Sequence, residues 1–237
     1  MGFATDLKKA ILKMAVSGKL TKQLKSDGSA EDLYIEIQKA KEQLIKDKKV
    51  KKEKQLKDID ETELPFDIPK NWKVVFYINV CYGVGNKLNQ IQAKDIKKTG
   101  KFPVVSQGLA LIDGYCDEST KVVNDIPVIM FGDHTKNVKF IDFDFVIGAD
   151  GTKFLKPILV DAKYFYYFTL YLSNTLKDRG YARHFSLLCK ENFYMPPLSE
   201  QHRIVEKLDK IMPEIDEIAK IEKELVRSIL LTLKNQF

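Results

Sequence analysis

The fold is decided by residues 196–234, which read PPLSEQHRIVEKLDKIMPEIDEIAKIEKELVRSILLTLK. Apolar residues recur there at alternating spacings of four and three, with one gap, at Ile204, Leu208, Ile211, Ile215, Ile218, Leu225 and Ile229. Such a spacing averages about 3.5 residues and places the apolar side chains on one narrow stripe of a helix. We therefore predict one long helix over residues 199–237, which acts as a spacer and pairs with another helix along this stripe.

Four residues refine the prediction for this helix. Ser199 follows two prolines and suits the N-cap, and Glu200 suits the positive end of the helix dipole. Pro213 should kink the helix without ending it, because the apolar stripe continues in phase beyond it. Glu222 occupies a position in the stripe, where it either fixes the register of the helix or is a simple interruption.

Residues 1–63 are predicted to form a second helical region. Two amphipathic helices have apolar faces formed by Leu7, Ile11 and Met14 and by Leu33, Ile37, Ala40 and Leu44. We expect a second copy of the chain to cover the stripe on residues 199–237, with the second of these helices covering it within one chain as the alternative. Residues 46–57 hold seven lysines against two acids. We interpret them as a solvated helix end or linker, with phosphate contact as the alternative.

Residues 64–198 differ in composition, since prolines, glycines and aromatic residues become frequent and short β-type runs replace the helical pattern. Predicted strands cover residues 73–80, 102–106, 126–131, 138–143, 145–149 and 156–160. Residues 163–178 predict an aromatic-rich helix buried against those strands. The fold class is therefore α+β: one globular domain with a mixed or antiparallel β-sheet and helices, flanked by long α-helices that form a coiled-coil-like spacer.

The charge of the chain is mildly basic, which is compatible with binding of a polyanion and equally with a solvated lysine-rich surface. Its 39 basic and 33 acidic residues give a net charge of +6, and the excess lies in residues 1–60 and 72–198. There is no apolar run of membrane-spanning length and no signal-peptide pattern, so we expect a cytoplasmic protein without membrane contact. Cys81, Cys116 and Cys189 are odd in number and widely spaced, which favours buried thiols over disulfides or a metal site.

Patterns for nucleotide binding and nuclease chemistry are incomplete. The phosphate loop GxxxxGK[ST] is absent, and GVGNKL at residues 83–88 lacks the third glycine of a dinucleotide fingerprint. Asp150 with Lys153 lacks the second acidic residue of a nuclease site, because position 151 is glycine. The sequence therefore predicts no catalytic residue of these two kinds.

Two further pairs could serve an enzyme. Cys189 lies near His184 in sequence, but a thiol nucleophile needs a base in the right geometry, which sequence proximity does not establish. Asp133 beside His134 has the groups of an acid–base pair, although a turn between two strands explains the same residues. We expect no catalytic function, and keep an enzyme that uses His134 or Cys189 as an alternative.

The loops between the predicted strands combine amide, imidazole, guanidinium, ammonium and aromatic groups. Side chains of these kinds hydrogen-bond to base edges and grip phosphates in DNA complexes. The candidate DNA-binding residues are Ser106, Gln107, His134, Thr135, Lys136, Asn137, Lys153, Tyr181, Arg183 and His184. None of them is predicted to bind a metal.

Several segments resemble the specificity subunits of type I restriction-modification systems. PPLSEQHRIVEKLDKIMPEID, residues 196–216, is similar to the sequence that closes their recognition domains. LKKAILKMAVSGKLTKQ and LPFDIPKNWKV, residues 7–23 and 64–74, resemble the segment that leads into such a domain. Residues 131–157 and 179–185 are similar to one recurrent type of recognition domain. The resemblance extends over essentially the whole chain.

The resemblance implies a DNA-binding subunit without catalytic activity. Full-length members have two recognition domains, so this chain looks like half of such a subunit. The implied partners are double-stranded DNA, methyltransferase subunits, a restriction and translocase subunit, and a second copy of the chain. No cofactor is expected here, since S-adenosylmethionine, ATP and Mg²⁺ would bind the partner subunits. A coiled-coil interaction module without DNA binding is a further alternative.

Overall fold

The computed structural model describes residues 2–51, 59, 64–148, 151–177, 180 and 182–234. Its helices are α1 (Phe3–Val16), α2 (Ala30–Lys46), α3 (Ala162–Thr175), α4 (Phe185–Leu188) and α5 (Leu198–Lys234). Its strands are β1 (Lys73–Phe76), β2 (Cys81–Gly83), β3 (Phe102–Val105), β4 (Gly114–Cys116), β5 (Val128–Gly132), β6 (Val138–Ile141), β7 (Val146–Ile147), β8 (Thr152–Pro157) and β9 (Asn192–Met195). No helix in these ranges is long and apolar enough to span a lipid bilayer.

In the described residues the strands form three small sheets. β1 pairs with β9 in antiparallel orientation, which joins the start of the strand region to its end. The largest sheet has the order β2-β8-β5-β6, and its neighbouring strands are antiparallel. In the third sheet, β3 is antiparallel to β4 and parallel to β7. The predicted α+β class, with a mixed or antiparallel sheet and flanking helices, is confirmed.

Strand boundaries differ from the prediction where strands are short or bend. The strand predicted over 73–80 ends at Phe76, because the next four residues form a 3-10 helix that buries Tyr77 and Val80. The strand predicted over 156–160 is displaced toward the N-terminus, since β8 covers Thr152–Pro157. β2 and β4 are three residues long, and so short a run shows no recognisable alternation of apolar and polar residues.

Helix α3 supplies the aromatic centre of the core, as predicted for residues 163–178. The ring of Phe193 on β9 lies 4.4 Å from that of Phe168 and 5.8 Å from that of Phe165. Tyr77 stacks on Phe165 at a centroid distance of 4.8 Å. The same cluster of buried side chains extends into α1, α2 and α5. The helices before and after the strands thus share one core with them.

The carboxylate of Glu200, near the start of α5, joins three segments of the chain. It accepts hydrogen bonds from Oγ1 of Thr21, Nε2 of Gln23 and Nε1 of Trp72, each at 2.8 Å. Glu200 is 0% exposed. A buried charge of this kind is stable only when hydrogen bonds replace its lost hydration. The N-terminal segment, the entry to β1 and α5 are therefore held at one point.

Gln201 and Arg203 extend this junction in two directions. The Nε2 of Gln201 donates to the carbonyl of Pro196 (2.8 Å), and its Oε1 accepts the N–H of Asp161 (2.9 Å), the N-cap of α3. The guanidinium of Arg203 donates to both carboxylate oxygens of Asp27, at 2.8 and 2.6 Å. These hydrogen bonds from Arg203 lower the pKa of Asp27 to about 2. Glu200, Gln201 and Arg203 therefore each bond to another part of the chain.

The first half of the apolar stripe on α5 is covered within the chain. Its buried and half-buried members are Ile204, Leu208, Ile211, Ile215 and Ile218. Helix α1 makes the most extensive helical contact with α5, and α3 adds a smaller one. The sequence predicted a second copy of the chain as the covering element, with the helix around residues 33–44 as the alternative. For this half of the stripe both are corrected, because α1 takes that position.

Glu222 interrupts the stripe because it caps helix α1. Its carboxylate accepts hydrogen bonds from the backbone N–H groups of Phe3 (2.8 Å) and Ala4 (3.1 Å). A negative charge at the N-terminus of a helix also suits the helix dipole. One turn away, Nζ of Lys8 lies 2.8 Å from Oδ1 of Asp216. These contacts favour the register interpretation of Glu222, with α1 as the partner helix.

The remaining predictions for α5 have mixed outcomes. Pro213 lies inside a helix that continues to Lys234, so the proline does not end it. The N-cap prediction for Ser199 is wrong, because α5 already begins at Leu198. The hydroxyl of Ser199 instead donates to Oδ1 of Asp27 (3.0 Å), which ties it to the Arg203 ion pair.

From Ile221 onward the large apolar side chains of α5 that the structure describes are exposed. They are Ile221, Leu225, Val226, Ile229, Leu230, Leu231 and Leu233. Leu225 and Ile229, both predicted members of the stripe, are 59% and 49% exposed. At 100° per residue, all of these except Leu231 fall on one half of the helix surface. We call the six residues other than Leu231 the distal apolar face.

Replacing Glu200 with alanine should lower the free energy of unfolding by about 3 kcal/mol, because the buried donors on Thr21 and Trp72 lose their acceptor and Gln23 loses one of its contacts. The measurement is urea unfolding followed by circular dichroism. Glu206→Ala is the matched control, since Glu206 is exposed and pairs only with Lys210 on the same helix. It should change stability by less than about 0.5 kcal/mol. Equal losses in the two variants would contradict the structural importance of Glu200.

Candidate nucleic-acid interface

Four loops that are far apart in sequence meet at one end of the largest sheet. β5 and β8 are neighbours in that sheet, with Gly132 opposite Thr152. The N–H of Asp133 donates to the carbonyl of Gly151 (2.7 Å), and the N–H of His184 donates to the carbonyl of Asp133 (2.9 Å). We use the term loop cluster for residues 106–108, 132–137, 151–153 and 183–185.

Gln107 joins the first of these loops to the second. Its side-chain Oε1 accepts the N–H of His134 (3.2 Å). Its carbonyl accepts hydrogen bonds from Oγ1 of Thr135 (2.9 Å) and Nδ2 of Asn137 (2.8 Å). The predicted DNA-binding residues of the two loops are thereby held together. Part of the hydrogen-bonding capacity of Thr135 and Asn137 serves to order the loops.

Two glycines permit this close approach. A Cβ at Gly132 would lie 2.2 Å from Oγ1 of Thr135, well inside contact distance. Gly151 has φ +83°, and a Cβ there would lie 2.8 Å from Cδ2 of His134. Any larger residue at these positions would force the loops apart. The sequences FGDHTKN and DGTK therefore depend on their glycines for this geometry.

Ser106 lies beneath the surface of the loop cluster and supports it through hydrogen bonds. The residue is buried, and its N–H donates to Oδ2 of Asp113 (2.8 Å). Its carbonyl accepts a hydrogen bond from Nζ of Lys139 (2.6 Å). Lys139 is also buried, and burial lowers its pKa. The expectation that Ser106 contacts DNA is corrected to a supporting position, because little of the residue reaches the surface.

His184 is 0% exposed. Its Nδ1 lies 3.1 Å from the carbonyl of Asp133, and its backbone N–H binds the same oxygen. A side chain without accessible surface cannot reach DNA in this conformation, so the predicted DNA contact of His184 is wrong. Its neighbour in sequence, Arg183, is exposed. The predicted contact residue Tyr181 lies outside the described residues.

The other predicted residues reach the surface of the loop cluster. Thr135 is exposed, and Gln107, His134, Lys136, Asn137 and Lys153 are partly exposed. The Nζ of Lys153 lies 5.6 Å from the centre of the Phe185 ring, within range of a cation–π interaction. Lys136, Lys153 and Arg183 thus add positive charge to a surface that also carries amide and hydroxyl groups. Their contact with DNA stays a prediction.

The two pairs that suggested catalysis have structural contacts. The carboxylate of Asp133 is buried and accepts the N–H of Phe185 at 2.8 Å, which supports the turn interpretation. The His184 ring faces the Asp133 carbonyl, and Cys189 is a half-buried cysteine. Asp150 lies outside the described residues. Among the residues that are described, no group of three or more His, Cys, Asp or Glu side chains could hold a metal ion.

Sequence reasoning missed Lys139 and identified Asp133 only as a turn residue or as half of an acid–base pair. Asp133, Lys139 and Gly151 fix the loops from within, by the carboxylate, ammonium and backbone contacts given above. Turn-forming residues around Asp133 and Gly151 indicate where the chain bends. No local pattern indicates that the lysine on β6 bonds a carbonyl on the loop after β3.

Comparison with known proteins identifies the family of this chain. The family described as "Type I restriction modification DNA specificity domain" matches residues 69–227. The chain is 43% identical over 67 residues to the type I restriction enzyme EcoAI specificity subunit of Escherichia coli, and 40% identical over 67 residues to the EcoEI specificity subunit. The matched segment is 28% of this chain and 11% of each relative. The chain belongs to the family of type I restriction-modification DNA specificity domains.

A solved structure supports the fold. The HsdS subunit from Thermoanaerobacter tengcongensis superposes with a TM-score of 0.51 at 17% sequence identity. The superposition covers 92% of this chain and 52% of that subunit. This chain therefore spans about half of the known subunit.

Arg183 and His184 are adjacent in sequence, but the first is exposed and the second is buried. Arg183→Ala and His184→Ala should therefore have different effects on stability. His184→Ala removes a buried ring and its hydrogen bond, so the free energy of unfolding should fall by about 2 kcal/mol. Arg183→Ala should leave stability within about 0.5 kcal/mol of the unaltered chain. Urea unfolding measures both. A stability loss in Arg183→Ala as large as that in His184→Ala would mean that the arginine is also structural.

Proposed function

We propose that this chain recognises one half of a bipartite double-stranded DNA target as a specificity subunit of a type I restriction-modification system. The observation that carries the proposal is the loop cluster, which gathers amides, a hydroxyl and cations at one end of the sheet in a chain of this family. Positive groups hold phosphates, while amides and guanidinium groups read base edges.

The loop side chains have different parts in this proposal. Arg183 is exposed and can bind guanine with two hydrogen bonds or clamp a phosphate. Lys136 and Lys153 neutralise phosphates and set the salt dependence of binding. Gln107 and Asn137 hold the loops in shape, so their substitution changes the presentation of the neighbouring side chains.

The chain itself is non-catalytic in this proposal. It directs methyltransferase subunits, and through them a restriction and translocase subunit, to the DNA. S-adenosylmethionine, ATP and Mg²⁺ bind those partner subunits. The complex works in the cytoplasm, where the DNA of the cell is accessible.

A second copy of this chain completes the target in our proposal. The distal apolar face lies beyond the reach of α1, whose N-terminus is capped at Glu222. Pairing of two such faces removes apolar surface from water. A closed dimer has two-fold symmetry, so two identical recognition surfaces would read an interrupted palindrome. The 37 residues of α5, at about 1.5 Å each, give a rod of about 55 Å that sets the gap.

DNA recognition is tested by selecting bound duplexes from a random-sequence library and measuring affinity over a salt series. We expect an enriched sequence and a Kd that rises steeply with salt. Lys136→Ala should weaken all duplexes alike and reduce the salt slope by about one, whereas Arg183→Ala should cost about 1 to 3 kcal/mol. Lys220→Ala, on α5, is the control and should bind as the unaltered chain does. Absence of any enriched sequence would refute the proposal.

Dimer formation is tested by light scattering of the full chain. The unaltered protein should have about twice the monomer mass of 27.3 kDa. Leu225→Glu with Ile229→Glu places charges on the distal apolar face and should give monomers at the same concentration. Arg227→Glu, on the opposite side of α5, should remain dimeric. A monomeric unaltered chain would contradict the dimer.

A further inference from the structure

The loop between β3 and β4 has an apolar tip on a rigid base. Its residues 109–112 read LALI. Leu109 is 91% exposed, and Leu111 is 48% exposed. A consecutive apolar run at a loop tip is unusual, because exposed loops are normally polar. The tip therefore needs a partner that covers it.

The base of this loop is fixed, so the tip has a defined position. The N–H of Asp113 donates to the carbonyl of Val104 (2.9 Å), and the N–H of Ser106 donates to the Asp113 carboxylate (2.8 Å). Two residues before Leu109, the carbonyl of Gln107 accepts the hydrogen bonds from Thr135 and Asn137. Leu109 is thus presented directly beside the loop cluster.

One side of Leu109 is cationic and polar, while the other side borders a groove of about 370 Å³ whose lining includes Phe140, Tyr166 and Asp209. On the cationic side a second groove, of about 400 Å³, runs beside Leu109, and its lining includes Lys9, Lys136, Lys139 and Asn137. No carboxylate lines this second groove. Cations beside a projecting apolar side chain suit a nucleic-acid groove, where phosphates form the rim and base surfaces form the apolar floor.

We infer that Leu109 enters a groove of the bound duplex and packs against the apolar surface of a base pair. The inference rests on the proposed function. It adds an apolar specificity-determining residue to the polar and charged residues of the loop cluster. Two base surfaces offer this contact: the methyl group of thymine in the major groove, and an opened base-pair step. Either would let an uncharged side chain contribute to the choice of sequence.

The first test measures whether Leu109→Ala loses affinity without a change in salt dependence. The probe is the duplex that the unaltered chain selects from the random library. Leu109→Ala should weaken binding roughly tenfold, because the smaller side chain buries less apolar surface against the DNA. The salt slope should stay unchanged, since no charge is removed. Leu24→Ala, at another exposed leucine far along the chain from the loop cluster, should bind normally.

The two base surfaces are separated by modified duplexes. Replacing each thymine in turn with uracil removes one methyl group. If Leu109 packs on a methyl group, one such replacement should weaken the unaltered chain but not Leu109→Ala. If Leu109 opens a base step, 2-aminopurine at that step should brighten on binding to the unaltered chain and not to Leu109→Ala.

A tryptophan probe reports the contact directly. The chain has one tryptophan, Trp72, which is buried and bonded to Glu200. Leu109→Trp therefore adds a single exposed fluorophore, whose emission should be quenched on binding the selected duplex. Leu24→Trp is the control and should keep its emission.

The outcomes distinguish this inference from the proposed function. If the unaltered chain binds no duplex, the proposed function fails and the inference fails with it. If the chain binds but Leu109→Ala has the same affinity, or neither modified duplex responds, the inference alone is overturned. Unchanged DNA binding with loss of methyltransferase assembly in Leu109→Ala would assign the tip to a protein contact instead.

Discussion

The structure depends on one buried carboxylate. Glu200 is removed from water and keeps its place through donors on Thr21, Gln23 and Trp72. Because these donors belong to the segment after α1 and to the entry of β1, α5 cannot move without breaking contacts in both. Gln201 and Arg203 add contacts to the N-cap of α3 and to Asp27. The orientation of α5 relative to the strand region follows from this junction.

The long helix and the fold class could be predicted from sequence because their signals are local and repeated. The apolar residues of α5 recur at spacings of three and four residues, which is a pattern among neighbours in sequence. Pro213 does not interrupt this pattern. The partner of the stripe was not predictable in the same way. α1 lies about two hundred residues before α5 in the chain, and the pairing is identified by contacts in the structure, those of Glu222 with Phe3 and Ala4 and of Lys8 with Asp216.

The candidate site was found in part, for a similar reason. Polar residue types and turn sequences indicated loops that the fold brings together, since Gln107, Thr135 and Lys136 lie in one cluster. Whether a polar residue faces outward is set by packing rather than by type. His184 and Ser106 have suitable chemistry, yet both are buried, because their hydrogen bonds hold the loops. Leu109 was missed because its side chain is apolar, and a search for DNA contacts begins with polar groups.

Part of the bonding that holds the loops joins backbone groups, and this has a consequence for their evolution. The bonds from Asp133 to Gly151, from His184 to Asp133 and from Lys136 to Gly132 join N–H and carbonyl groups. Exchange of the Lys136 or Arg183 side chain leaves all of these bonds in place. Mutation can therefore alter the chemical character of the exposed surface in single steps while the scaffold stays folded. A lineage of such chains can acquire new target preferences without passing through unfolded intermediates.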